Sequence, residues 1–413
     1  MNTPQHRVAI FSTNFVPYSQ TFIYEQAKRH KRYAAEVFCW RRLNADRFPF
    51  TPVHVAGPLY GLSTWSPHFH RILGRRPFDL VHAHFGTGAI YAAPYARRHD
   101  LPLVVTFHGY DVPLLWNIRR FHPAYWPFAL GARAMLRQMT LGLCDSGELR
   151  ELLLAEGVPE EKLRVHKLGI DIDDFQPAAP RARATRLIAV GRFVEKKGFE
   201  YVIRAFAPHA KAHPQLRLAL IGDGPRRARL QAWVERLGLG AQVDFLGVLP
   251  AAQVREQLRQ SDILLAPSVI AKDGDRDSGL LVAKEASAAG LPVLATVHGG
   301  LPEIVEHGVT GFLAPERDVG TLSAHLATLL ADDALRQRMG AAARAKMLRE
   351  YNADDVRDRL EAHYDDALAL FSGGHNASAT RHSTSANSSP RHDARSGHQA
   401  SEGARGPAPA CSA

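Results

Sequence analysis

Residues 277–304 read DSGLLVAKEASAAGLPVLATVHGGLPEI, with two acids, Asp277 and Glu285, eight positions apart. A turn holding Ser278 and Gly279 separates the first acid from a helix-like run. A buried-strand pattern follows over 291–295, then a second glycine turn, Gly299-Gly300. This order sets free backbone N–H groups and two carboxylates at the mouth of one cleft. Helix N-termini bind phosphate through unpaired N–H groups and the positive end of the dipole. Carboxylates accept charge-assisted hydrogen bonds from ribose or sugar hydroxyls. A site that takes both a diphosphate and a polyol is a nucleotide-sugar site.

Other residues fit the same chemistry. VGRFVEKKG (190–198) places Arg192 and Lys197 in a loop after a strand. Arg grips phosphate oxygens in pairs and Lys supplies a compact charge, so together they neutralise a diphosphate and stabilise a departing nucleotide. GDGP (222–225) is a tight strand-to-helix turn and reads as structural. Ala266-Pro267-Ser268 ends the next strand, near where a base or ribose fits. In the first half, VVTFHGYD (104–111) ends a strand with His108 and Asp111, both expected to point into the cleft. His108 suits a hydrogen bond to a sugar hydroxyl or to developing charge. His82 and His84 in VHAHFG read as cleft lining; with no third ligand in view, no metal site is expected.

The elements that must position these residues alternate as short apolar runs and helical patterns. Strands are expected at 8–11, 35–40, 80–83, 103–107, 187–190, 217–221, 243–245, 263–266 and 292–295. Helices are expected at 22–29, 89–98, 200–213, 226–237, 251–260, 281–289 and 319–331. Such alternation gives α/β parallel sheets covered on both faces, with ligands at the carboxyl ends of the strands. A chain of 413 residues is too long for one core. The Pro/Ala/Arg-rich segment 176–186 marks the boundary, giving domains 1–178 and 179–350. From 372 the chain is Ser, Ala, Gly, His and Arg with almost no large apolar residues, so 372–413 reads as a disordered tail.

Residues 1–140 hold 17 Lys/Arg against 6 Asp/Glu, while the whole chain is only +10. That basic first half favours an anionic surface such as a phospholipid membrane or a lipid-linked phosphate. Nucleic acid is not expected, since no recognition motif accompanies the charge. Segment 114–139 mixes Trp116, Phe121, Tyr125, Trp126 and Phe128 with Arg119, Arg120, Arg133 and Arg137. That mixture suits a membrane interface, or else an acceptor-side loop and helix buried in the first domain. No apolar run is long enough to span a bilayer, and the N-terminus lacks the marks of a signal peptide. With three scattered cysteines, a cytoplasmic chain is expected, peripheral on the inner face of the membrane at most.

Segments 190–198, 222–229, 277–305 and EHGVTGFLAP (306–315) together resemble glycosyltransferase family 4, retaining enzymes of the GT-B fold with two Rossmann-like domains facing across a cleft. DLVHAHFG (79–86), VVTFHGYD and RVHKLGIDIDDF (164–175) resemble first-domain signatures of that family. PYSQTFIYEQ (17–26) resembles the opening of its exopolysaccharide and colanic-acid-type members.

The resemblance implies roles by position. Arg192 and Lys197 hold the donor diphosphate and take the place of a metal; Glu285 bonds the ribose; Asp277 faces the donor sugar. Backbone groups of Gly279, Leu280 and Leu281 complete the cradle, and His108 stands beside the sugar. The last helix, within 351–371, crosses back onto the first domain. The donor is a UDP- or GDP-linked sugar with no further cofactor, and the acceptor a lipid-linked saccharide. Two departures stand out: Asp277 replaces Glu, and Gln20 replaces Glu in the opening motif. A catalytically weak GT-B protein serving as an assembly partner, and a sugar-nucleotide epimerase on the same fold, are the alternatives.

Overall fold

The computed structural model describes residues 6–17, 20–56, 65–177 and 184–385, those from 374 on as backbone only. Seven strands build the first sheet: β1 (His6–Phe15), β2 (Tyr33–Arg42), β3 (Val53–Val55), β4 (Leu80–His84), β5 (Leu103–Phe107), β6 (Leu141–Cys144) and β7 (Leu163–Val165). Six build the second: β8 (Arg186–Val190), β9 (Arg217–Ile221), β10 (Val243–Gly247), β11 (Ile263–Ala266), β12 (Val293–Thr296) and β13 (Gly311–Ala314). The orders are β3-β2-β1-β4-β5-β6-β7 and β10-β9-β8-β11-β12-β13, with parallel pairing throughout. Each chain steps outward from its first strand and then returns to that strand's other side. The reversals fall between β1 and β4 and between β8 and β11, the crevices where doubly wound sheets take ligands.

Every strand expected from the sequence is present, with ends shifted by a few residues. The strands β3, β6, β7 and β13 were not expected. Each has only three or four residues, too few to show a period. Gly142 and Gly311 also make β6 and β13 look like turns in the sequence. Their neighbours in the sheet supply the hydrogen bonds and the burial. The two faces of the first sheet carry separate apolar clusters, as do those of the second.

Six of the helices bear on the site: α1 (Thr21–Arg29), α2 (Gly86–Arg98), α3 (Trp126–Gln138), α4 (Ala251–Arg259), α5 (Leu281–Ala288) and α6 (Ala353–Ser385). From the sequence, disorder is expected from 372. The backbone of α6 runs on to Ser385. Residues 386–413 lie outside the described residues, as do Ser19 and the expected boundary at 178/179.

The front of α6 lies on the first sheet. Leu360, Tyr364 and Ala367 share a cluster with Val8, Ile10, Ile23 and Tyr33, at the i, i+4, i+7 spacing of one helix face. The Tyr364 hydroxyl meets His82 Nδ1 at 2.7 Å, and Tyr33 donates to Asp365 at 2.7 Å. Residues around Ile170, leaving the first half, run beside residues around Asn352, returning to it. Ile170 N–H donates to Tyr351 O (2.9 Å) and Ala353 N–H to Ile170 O (3.0 Å). Both crossings between the halves are therefore tied together.

Glu361 accepts the backbone N–H groups of Lys31 (2.7 Å) and Arg32 (3.0 Å). Burial alone would raise its carboxyl, but His30 and those amides outweigh burial and bring it down to about 2. A carboxyl depressed by folding adds stability above its ordinary value and loses it as pH falls toward the folded one. Glu361→Gln is expected to reduce the unfolding free energy by about 1–3 kcal/mol at pH 7. Denaturant titration should find the gap closing as the pH approaches 2. A gap independent of pH would rule out the carboxylate as its source.

Candidate active site

After β8 the chain turns through residues 191–198 toward the end of β11. Gly198 has φ of 65°, and a Cβ there would stand 1.9 Å from Pro267 O. Only glycine lets the loop lie this close. The loop thereby presents two lysines to the segment following β11. Lys197 Nζ is 2.8 Å from Asp277 Oδ2, and Lys196 Nζ is 3.3 Å from Asp277 Oδ1. Lys196 also bonds Asp275 at 3.0 Å, and Ser268 Oγ donates to Asp277 at 3.1 Å. Asp277 N–H donates to His298 Nε2 (3.1 Å), whose Nδ1 lies 2.6 Å from Glu316. Since Nε2 accepts, the imidazole proton sits on Nδ1 and is donated to Glu316. Burial would raise the Asp277 carboxyl, but Lys197 and Lys196 outweigh burial and hold it well below the usual carboxylate range.

Two turns further on, Leu281 and Glu285 occupy one face of α5 and the wall of a cavity of about 420 Å³ between the halves. Thr21 and Phe22 of α1, Asp174 and Arg255 of α4 line it as well. Burial pushes the Glu285 carboxyl up to about 7, with Arg255 offsetting only part of the effect. Among the described residues the Glu285 side chain has no hydrogen bond or ion pair. Arg192 is exposed, and it too has no side-chain partner among the described residues.

The first-half residues depart from expectation. Asp111 does not point into the cleft. It is fully buried and accepts the N–H groups of Gly86 (2.7 Å), His108 (3.2 Å) and Gly109 (3.0 Å). Those amides are otherwise orphans at the start of α2 and in the turn after β5, so the acid is a cap. His82 and His84 do not line the cleft, each being 1% exposed. They sit on a central strand whose face is covered: His82 bonds Tyr364 and Thr106 (both 2.7 Å), and His84 Nδ1 meets His108 Nε2 at 3.1 Å. His108 is itself held behind the cavity wall, its ring 4.6 Å from that of Phe22. Its Nδ1 faces Asp145 at 3.9 Å without a hydrogen bond.

Asp145, at the end of β6, is the first-half group nearest the start of α5. A Cβ on Gly279 would stand 1.9 Å from its Oδ2, so this position requires glycine. Burial would raise Asp145, but Lys284 and His108 lower it overall. Around it the halves touch directly: Ser278 Oγ donates to Ser146 Oγ (3.1 Å), Arg276 to Glu148 (2.7 Å), and Gly147 N–H to Glu303 (2.6 Å). The halves are closed on each other.

The candidate residues thus fall into two groups joined by the 277–285 segment. Lys197 and Asp277 meet at the β8/β11 crevice, with Arg192 nearby in sequence and free. Leu281 and Glu285 line the cavity. Leu280 is a weaker cradle residue than expected: its N–H is spent on Ser278 O at 3.1 Å and its side chain is core. GDGP is structural, as expected, with Phe193 N–H donating to Asp223 O at 2.9 Å. Sequence reasoning missed Lys196, Asp145 and the His298–Glu316 pair. Lys196 stood in the quoted loop, where KK gives no sign of which lysine turns inward. The others become neighbours only through the fold.

Comparison with known proteins agrees with this geometry. The profile described as Glycosyltransferase Family 4 matches residues 6–174, and that described as Glycosyl transferases group 1 matches residues 172–346. The amylovoran biosynthesis glycosyltransferase AmsK of Erwinia amylovora is 32% identical over 67% of this chain and 68% of its own. A protein named as a colanic acid biosynthesis glycosyltransferase, WcaL of Escherichia coli K12, is 31% identical over 70% of this chain and 68% of its own. The crystal structure of HepE from Anabaena in complex with UDP and glucose superposes with a TM-score of 0.72 at 20% identity, covering 88% of this chain and all of that one.

Because Glu285 binds its proton more tightly folded than unfolded, its ionisation costs stability as pH rises from its ordinary value through about 7. Glu285→Gln is expected to raise the unfolding free energy on the order of 1–3 kcal/mol at pH 8 and to change little at pH 4. Thermal unfolding across that range tests this. A variant less stable than the parent at pH 8 would refute the assignment of a strained, unpartnered carboxylate.

Proposed function

The chain belongs to glycosyltransferase family 4, and we propose that it moves a hexosyl unit from a UDP- or GDP-sugar to a lipid-linked saccharide, with retention at the anomeric carbon, in building a cell-surface polysaccharide. One observation carries the donor reading. Glu285 is an unpartnered carboxylate on the wall of a cavity of about 420 Å³, eight residues after an acid held by two lysines. A ribose diol satisfies Glu285, and the diphosphate reaches toward Lys197 and the free Arg192. UDP in the HepE complex and the exopolysaccharide names of AmsK and WcaL support the same reading.

In the reaction the bond from the sugar C1 to the donor phosphate oxygen breaks, and a bond from C1 to the acceptor oxygen forms on the same face. The acceptor proton passes to the leaving phosphate. The protein contributes position and charge: Arg192 and Lys197 meet the growing negative charge of the nucleotide. Asp277 is engaged with both lysines and Ser268, so it orients the cations rather than attacking the sugar. The contacts between Ser278 and Ser146 and between Arg276 and Glu148 keep bulk water from the donor.

The lipid reading rests on the first half's surface. Phe128, Ala132, Met135 and Leu136 of α3 face the core. Ile118, Phe121, Trp126 and Leu130 are 69%, 65%, 56% and 87% exposed. Arg120 and Arg133 share one surface hollow with Phe121, Trp126 and Leu130, and Arg97 another with Trp126 and Leu130. Aromatic and aliphatic side chains ringed by guanidinium groups match an anionic bilayer surface. No helix among the described residues is long and apolar enough to cross a membrane.

Arg192→Ala with Lys197→Ala is expected to lower kcat by roughly 10²–10³-fold, the usual cost of removing charge stabilisation. Turnover equal to the parent's would overturn the donor reading. Titration calorimetry should find binding of UDP or GDP; a protein acting only as an assembly partner binds neither. Vesicles containing anionic lipid should sediment the protein at low salt, and Leu130→Glu should reduce the bound fraction several-fold. Absence of sedimentation removes the membrane contact.

A further inference from the structure

The exposed first-half segment is joined to the donor lysines by an unbroken line of charges. Arg119, in the short 3-10 turn Ile118–Phe121, pairs with Asp275 at 3.0 Å and stands 3.8 Å from Asp273. Asp275 pairs with Lys196 at 3.0 Å, Lys196 with Asp277 at 3.3 Å, and Asp277 with Lys197 at 2.8 Å. The geometry of Arg119 is set on both sides. Tyr125 Oη accepts from Nη2 at 3.1 Å, and Asn117 Oδ1 accepts the Arg119 N–H at 3.1 Å. Across the gap, the loop 271–275 is closed by Gly274 N–H to Ala271 O and Ala271 N–H to Asp275 O, both 2.9 Å. Gly274 lies against Asn117: a Cβ there would be 3.1 Å from that of Asn117.

From end to end the line is Arg119, Asp275, Lys196, Asp277, Lys197, three cations and two anions in alternation, with Asp273 beside its outer end, where 49% exposure leaves that acid largely screened by water. The surplus positive charge belongs to the line as a whole. While Arg119 satisfies Asp275, Lys196 is available to Asp277, and Lys197 at the far end can turn to a diphosphate. If Arg119 withdraws, two acids hold two lysines and no cation remains in excess. Partial burial keeps these interactions from being screened away, since Lys196 and Asp277 have side chains 9% and 11% exposed.

We propose that Arg119 is a positioning residue for the transfer reaction, which by pairing with Asp275 leaves Lys196 to hold Asp277, so that Lys197 can exchange Asp277 for the donor diphosphate whenever the acceptor-side segment is seated on the second half. The inference rests on the donor reading above and deepens it: the exposed apolar segment and the diphosphate site respond to one another through charge. Arg119 makes its side-chain contacts with Asp275, Asp273 and Tyr125. It acts through Asp275 and Lys196.

Calorimetric titration with UDP, GDP and inorganic pyrophosphate tests it on the full chain. Arg119→Ala is expected to weaken the diphosphate ligand about tenfold, the effect of losing one charge-assisted contact. Arg119→Lys should recover most of the loss. Arg119→Ala combined with Asp275→Ala should also recover it, because removing both charges restores one surplus cation to the remaining lysines and Asp277. A merely structural role for Arg119 predicts the reverse, with the double variant as weak as the single or weaker. Asp275→Ala alone keeps binding at or above the parent level and covers the case in which Arg119→Ala fails to fold. Binding by Arg119→Ala equal to the parent, or no recovery in the double variant, overturns the inference and leaves the donor reading intact. A parent protein that binds none of the three ligands overturns both.

Discussion

An ionised carboxylate whose side chain is 11% exposed persists only where cations and donors reach it. Asp277 has two ammonium groups, the Ser268 hydroxyl and, on its own backbone, a fixed imidazole acceptor. Much of the second half's local geometry follows from bringing these together. The loop after β8 must fold back onto the end of β11, which requires a glycine at 198. Ser268 must follow β11 with its hydroxyl turned to Asp277. His298 must hold one tautomer, which Glu316 enforces. A carboxylate left without either lysine would be driven toward its neutral form, and the crevice would lose the charge pattern that orders it.

The sequence displayed the fold plainly where elements are long or strongly patterned. The strands at 103–107, 217–221 and 263–266 and the helix at 319–331 agree with the structure residue for residue. It was silent on β3, β6, β7 and β13, whose three or four residues acquire strand character only from sheet neighbours. For the site, the second half was legible in that its residues lie close in sequence: Lys197 ends a short 3-10 turn, Asp277 sits in a loop and Glu285 lies in the second turn of α5, where the pattern is local. The first half was not. His82, His84 and Asp111 carry the same residue types as a binding site, and nothing local distinguishes a histidine facing solvent from one facing a helix that arrives 282 residues later.

That returning helix explains the polar interior of the first half. Parallel strands buried on both faces are usually apolar along their length. β4 instead carries two histidines, and the imidazole of one is satisfied by Tyr364 from α6 and Thr106 from β5. Burial and neighbouring histidines hold both rings well below their ordinary pKa, so they remain neutral partners. The polar contacts add directional fit to an apolar docking made by Leu360 and Ala367. Because the helix begins at the hinge pair Ile170 and Asn352, its seating fixes where the second half starts its return.

An Asp rather than a longer Glu at position 277 has a definite geometric meaning within this arrangement. A carboxylate on one methylene already touches both lysines and Ser268. A second methylene would carry it about 1.5 Å further, past the lysines. The shorter acid therefore favours ion pairing over reach. The same shortening ties the acid more closely to Lys196 and Lys197, and through Asp275 to Arg119. The charge around Asp277 is consequently linked, through Lys196 and Asp275, to Arg119 on the opposite half of the molecule.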